Sequence, residues 1–323
     1  MQILPHPAPN AECNVPIVLT TSPPTTMSLS RSEEQRLPQE IFDNVIDHFY
    51  DDVDELRTCA LVSPAWLSSA RAHLFHRISL NPPKNVRSST FFFTKPYFPP
   101  CRKLYECIEQ SRTSRFGGLN KYIRELHICE GMLGREWLAR EPTLHLLLRA
   151  LHNLRRFEIN RSASVRIRWG ELSLVFKEAV EGHILRLPSL TELKLGSLMF
   201  GSVAELSKVL RACKNLRVLE ADHVNFVNDS IDVVQLGAGP SPGHLTPLDT
   251  LVVGPRTSVA LIRTLLHPSS GITVSALRKL AMSISGGFAD FAMLLNASTS
   301  VKSLEFTLMN DSEWPEVLAT TIF

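Results

Sequence analysis

Leu187-Pro-Ser-Leu190-Thr-Glu-Leu193-Lys-Leu195 is the stretch on which the fold turns. Its end alternates apolar, charged and apolar residues, the period of a short strand that sends every second side chain into a core. The same apolar skeleton stands at Leu151-His-Asn-Leu154-Arg-Arg-Phe157-Glu-Ile159 and at Leu245-Thr-Pro-Leu248-Asp-Thr-Leu251-Val-Val253. Looser copies occur at Ile123/Leu126/Ile128, Leu216/Leu219/Ala221, Leu277/Leu280/Met282 and Val301/Leu304/Phe306. The intervening segments 144–151, 203–210 and 259–266 read as helices. Repeated strand-helix units of this kind stack into a curved parallel sheet with helices outside, each unit covering the apolar face of the next. The copies are spaced irregularly, 24 to 36 residues apart.

Composition allows such a core. The chain has 323 residues, 44% of them hydrophobic, and 34 Lys plus Arg against 32 Asp plus Glu. A net charge of +2 argues against a general nucleic-acid binder, so any basic surface has to be local. Six cysteines without a Cys-x-x-Cys pair are too few for a disulfide-built fold and suit a reducing compartment. No run of apolar residues is long enough to span a membrane, and the N-terminus makes a poor signal peptide.

The chain changes character at Leu37. Residues 1–34 hold six prolines and a Ser/Thr cluster, too little bulk to offset the ordering of their backbone, and read as a flexible tail. Leu37-Pro-Gln-Glu-Ile-Phe-Asp-Asn-Val-Ile-Asp-His-Phe49 then sets Ile41, Val45, Ile46 and Phe49 at helical spacing behind a first-turn proline. Asp51-Asp-Val-Asp54 supplies a turn and an N-cap for a second helix, and Ser63-Pro64 starts a third that runs to about His76. Three short helices bury too little surface to stand alone, so they are expected to rest on the remaining chain or on a partner.

These residues resemble the F-box in the form common in large fungal families. Leu37-Pro38-x-Glu40-Ile41 opens the match, Leu56-x-x-Cys59-x-Leu61-Val62-Ser63 forms its middle, and Pro64-x-Trp66 with Ala70-Arg71-x-x-Leu74-Phe75 closes it. The resemblance implies a module that binds the adaptor subunit of cullin-RING ubiquitin ligases. Leu37, Pro38, Ile41, Val45, Leu56, Leu61, Val62 and Trp66 match positions that meet the adaptor or pack the family's own core. The later strand-helix region resembles leucine-rich repeats, although most copies lack the Asn or Cys that follows the strand; Ile128-Cys129 and Ile159-Asn160 retain something similar. The expected fold is an all-α three-helix F-box module followed by an α/β leucine-rich-repeat-like solenoid. Its expected boundaries are a tail 1–34, the module 35–80, a transitional linker 81–118 and the repeat domain 119–323.

The function so implied is that of a non-catalytic substrate receptor in an SCF-type ubiquitin ligase. Its partners would be the adaptor, through it the cullin, and an unidentified protein substrate; its place would be the cytoplasm or nucleus. The polar side chains beside the strands, Arg156, Glu158, Glu192, Lys194, Glu220 and Asp249, are the candidates for substrate contact. Two alternatives stay open, an F-box-like scaffold without degradation and a nucleic-acid module. The second rests on the interval 111–168, which carries 12 Lys or Arg against 5 Asp or Glu and could stack a base on Trp169. Neither a Gly-rich phosphate loop nor a Gly-x-Ser-x-Gly elbow is present, and no cofactor is expected. His127 with Cys129, and His145 with His152, leave a metal ligand set incomplete.

Overall fold

The computed structural model describes residues 38–81, 100–113, 117–130, 137–161, 166–228, 245–284 and 288–308. The tail 1–34, Leu37, most of the 81–118 linker and most of the loop 228–246 lie outside these residues. From Gln39 onward the chain forms one compact unit.

Three helices come first. Helix α1 (Gln39–Asp47) turns Ile46 inward, and α2 (Val53–Val62) turns Leu56 and Cys59. The Asp52 carboxylate caps α2 by accepting the backbone N–H groups of Asp54 at 3.1 Å and Glu55 at 3.0 Å. Ser63 is extended (φ −160°, ψ 161°), as the residue before a proline tends to be, which ends α2 and lets Pro64 open α3 (Pro64–Leu74). Ile46, Leu56, Cys59 and Ala70 make a small core of their own, flanked by Phe49, Ala60, Trp66 and Leu74. Asp43 ties α1 to α3 by accepting from the Ser69 hydroxyl, and this bond, with a second from the Gln39 amide at 2.8 Å, holds its carboxyl below the usual carboxylate range.

Helix α3 runs almost directly into β1 (Arg77–Leu80), which pairs in parallel with β2 (Glu125–Glu130). The His76 carbonyl begins that ladder, accepting from the N–H groups of Arg124 and Glu125, both at 2.9 Å. The sheet then continues through β3 (Arg156–Arg161), past the two-residue strand β4 (Ile167–Arg168), to β5 (Glu192–Gly196). Next come β6 (Leu198–Phe200), β7 (Val218–Asp222), β8 (Asn225–Phe226), β9 (Thr246–Pro247) and β10 (Thr250–Val253). The last strands are β11 (Ile272–Thr273), β12 (Lys279–Ile284) and β13 (Ser303–Leu308). Eight of these form one parallel sheet in the order β1-β2-β3-β5-β7-β10-β12-β13, while β4-β6-β8 and β11-β9 make two small separate ladders.

The register explains the sequence pattern. Leu126, Phe157, Leu193, Leu219, Leu251 and Leu280 lie in one cross-strand row, and each is buried. Full burial of one such side chain contributes about 1.5–3 kcal/mol, so this row is the backbone of the core. Helices α4 (Pro100–Arg112), α5 (Trp137–Arg140), α6 (Leu144–Ala150), α7 (Leu174–Gly182), α8 (Val203–Ala212), α9 (Ala260–Leu266) and α10 (Phe288–Ala297) occupy the crossovers. Along this layer α4 packs on α6, α6 on α7, α7 on α8, α8 on α9 and α9 on α10.

The carboxyl ends of the strands are closely fitted. Gly196 lies beside Asn160, whose side chain fills the space a Cβ would need, and Gly254 stands in the same relation to Asp222. Trp169, Phe200 and Phe226 stack in series with centroids 5.6 and 6.2 Å apart, packing the β4-β6-β8 ladder.

This architecture corrects the expected fold class. The chain is not an all-α three-helix F-box module followed by a leucine-rich-repeat-like solenoid, but one mixed α/β fold around an eight-stranded parallel sheet. The physical reason is β1. The segment that contains the helices also supplies a strand of the sheet, and its partner β2 lies beyond α4 in sequence, so backbone hydrogen bonds join the helices to everything that follows. Helical and strand periodicities mark the longer elements but carry no record of this pairing.

Candidate docking surfaces

The sheet has one apolar and one charged face. On the charged side Arg156 stands opposite Glu192, and His127, Glu158, Lys194 and Glu220 lie side by side along the next row. Arg156 reaches Glu192 at 3.2 Å, Glu220 at 3.4 Å and Glu158 at 3.9 Å; Lys194 reaches Glu220 at 3.4 Å and Glu158 at 3.6 Å. Five of the six candidate substrate residues are thus brought together, held chiefly by one another. The sixth, Asp249, lies apart and pairs with Arg217 at 3.0 Å. Glu158 is buried, and these two cations offset the loss of water around it.

His127 completes the row. Its Nε2 is 3.4 Å from Glu158 Oε1 but is buried without a hydrogen-bond partner. Burial pushes the imidazole below its ordinary pKa, opposed by Glu158 and aided by Arg77, Lys194 and Arg156, so the ring is held neutral. Among the described residues no three His, Cys, Asp or Glu side chains gather closely enough to hold a metal ion.

The helices carry a different surface. Of the eight candidate adaptor residues, Leu56 is core at 1% exposure, and Trp66 is half-buried against Phe42, their ring centroids 5.9 Å apart. Pro38, Ile41, Val45, Leu61 and Val62 are exposed, and Leu37 lies outside the described residues. Leu61 is 88% and Val62 60% exposed. The Gln39 amide donates to the Ala65 carbonyl at 2.9 Å, which draws the start of α1 to the α2–α3 junction and sets Ile41 at the same end of the helices as Leu61 and Val62. Val53 and Tyr50 are also exposed, two residues that sequence reasoning did not single out. Their signal was position, since a turn between two helices leaves its apolar members uncovered.

The first two helices are also acidic. Residues 39–55 contain seven Asp or Glu and no Lys or Arg, and all but Asp43 of the seven are exposed. Asp54 is offset by Arg57 at 2.8 Å, and Asp47 lies 2.7 Å from His73 Nε2.

No family model matches the chain, and neither does any curated protein. The F-box and leucine-rich-repeat resemblance therefore finds no support, and the function built on it is corrected with it. A continuous mixed α/β fold does not supply the two-domain substrate receptor of an SCF-type ubiquitin ligase, and the adaptor, the cullin and the substrate to be ubiquitylated drop out as partners. The F-box-like scaffold falls for the same reason. The nucleic-acid alternative loses its stacking platform, since Trp169 is buried against Phe200, and three of its twelve cations, Arg112, Arg156 and Arg168, are paired with carboxylates. No helix among the described residues is long and apolar enough to cross a membrane.

Proposed function

We propose that the chain is a protein-binding subunit, a binder rather than a catalyst, that docks a basic amphipathic helix of another protein on α1 and α2. The observation that carries this reading is the exposure of Leu61, with Ile41, Val45 and Val62 uncovered on the same helices. Aliphatic side chains held out from well-formed helices, within a polar rim, mark interaction surfaces. A helix laid in such a site anchors through residues three and four apart. The acidic run 39–55 selects the sign of the partner, since opposite charge speeds encounter and like charge excludes competitors. A reducing compartment, cytoplasm or nucleus, suits the reading. The described cysteines are free, and burial raises the Cys101 and Cys213 thiols to about 12, which keeps them protonated and inert.

The test uses a fluorescent amphipathic helical peptide of Leu and Lys, titrated with the full chain and followed by anisotropy. Saturable binding is expected, weaker at high salt. Combined Ile41→Ser and Leu61→Ser substitutions should weaken it by at least roughly tenfold, the loss of two aliphatic contacts of about 1.5–3 kcal/mol each being partly offset elsewhere. Equal binding of a Leu/Glu peptide of the same pattern, or binding indifferent to the double variant, overturns the proposal.

A further inference from the structure

A groove of about 640 Å³ opens between α7 and α8, lined chiefly by Glu178, Glu181, Arg186, Lys208, Arg211 and Lys214. Four cations face two carboxylates, an excess of two positive charges. Cations in the last turn of a helix complement its dipole, and one such charge at the end of α8 would need no other explanation. Four exceed that role.

The lining is partly fixed in place. Glu181 accepts from the Trp169 indole N–H at 3.3 Å and from Lys208 Nζ at 2.7 Å, which uses both charges of that pair. Arg211 is half-buried, and its Nε donates to the Ser207 carbonyl at 3.3 Å. Its stem crosses Gly271, a residue in the left-handed region (φ 71°), where an added Cβ would come within 2.9 Å of Arg211 Cγ. The guanidinium is therefore anchored at one nitrogen. Among the described residues Arg211, Arg186 and Lys214 have no carboxylate partner.

We propose that this groove binds a small hydroxylated phosphate monoester such as a sugar phosphate. The two terminal nitrogens of Arg211 form the planar fork that matches phosphate oxygens, and Arg186 and Lys214 complete the neutralisation of a dianion. The volume lies within the range of small-molecule sites and leaves room for an organic portion beyond the phosphate. Glu178, with no cation of its own among the described residues, accepts from that portion's hydroxyls.

Calorimetric titration of the full chain with glucose 6-phosphate, inorganic phosphate and glucose tests the proposal. Glucose 6-phosphate should bind saturably, phosphate more weakly and glucose not at all. Arg211→Gln should weaken binding by about tenfold or more with the thermal unfolding midpoint unchanged, and Lys214→Gln by several-fold. Affinity should fall below about pH 6, where the monoester loses its second charge. The rim variant Lys214→Gln carries the test if Arg211→Gln unfolds. Absence of saturable heat from either phosphate compound at millimolar concentration, or affinity unchanged in a folded variant, overturns it.

Discussion

Leu56 and Leu61 stand five residues apart on one helix, and the structure assigns them opposite roles. Leu56 is 1% exposed among Ile46, Cys59 and Ala70, whereas Leu61 is 88% exposed. Leu56→Ala removes buried carbons and leaves a cavity, a change that typically costs about 2–5 kcal/mol. The helical core is small and can collapse, which places the cost at about 2–3 kcal/mol and the rise in local opening at roughly 30- to 150-fold. Leu61→Ser removes a side chain surrounded by water and should stay within about 0.5 kcal/mol. Native-state hydrogen exchange on the amides of α2 and α3 measures both changes directly. Equal acceleration by the two substitutions would refute the division between core and docking surface.

Further expectations concern packing, charge and capping. Gly196→Ala should destabilise by about 1–3 kcal/mol because its Cβ meets Asn160, and Asn160→Ala in the same chain should recover most of the loss; denaturant midpoints of the two variants decide it. His127 resists protonation in the folded state, while the unfolded chain takes up that proton near the ordinary imidazole value of 6.5. The unfolded state then binds more protons, so this contribution to stability is full above 6.5 and is lost as pH falls through the depressed folded pKa. His152 acts in the same direction through burial, then His183 and Arg112. His127→Gln should flatten the difference between urea midpoints measured at about pH 7.5 and about pH 5.5. Asp52→Ala should cost about 1 kcal/mol through loss of the α2 cap, read as a lower thermal midpoint.

Much of the local structure was legible. The skeleton ending Leu193-Lys-Leu195 marks β5, and its relatives mark β3 and β10. Ser63-Pro64 marks the start of α3, because proline chemistry acts over one or two residues. The pairing of β1 was not legible. Nothing local announces that Arg77–Leu80 joins Glu125–Glu130, and that single ladder changes a separate helical module into part of an α/β fold. The β4-β6-β8 ladder was missed because strands of two or three residues carry no usable period, and with it went the burial of Trp169, which Arg166 and Arg168 made to look like a surface residue. The strand-adjacent charges were legible as one face from their alternation alone; their mutual pairing was not, since it depends on cross-strand register. Leu56 and Leu61 show the same limit, because helical spacing finds apolar residues without saying which of them are covered.

The docking claim is tested most directly by a hydrogen-exchange footprint of the full chain with and without the Leu/Lys peptide. Docking on α1 and α2 should slow exchange only within residues 39–62, with the two helices protected together and the Ile41→Ser, Leu61→Ser double variant showing no footprint. Protection centred on strands β3, β5 and β7, or none at saturating peptide, would contradict it.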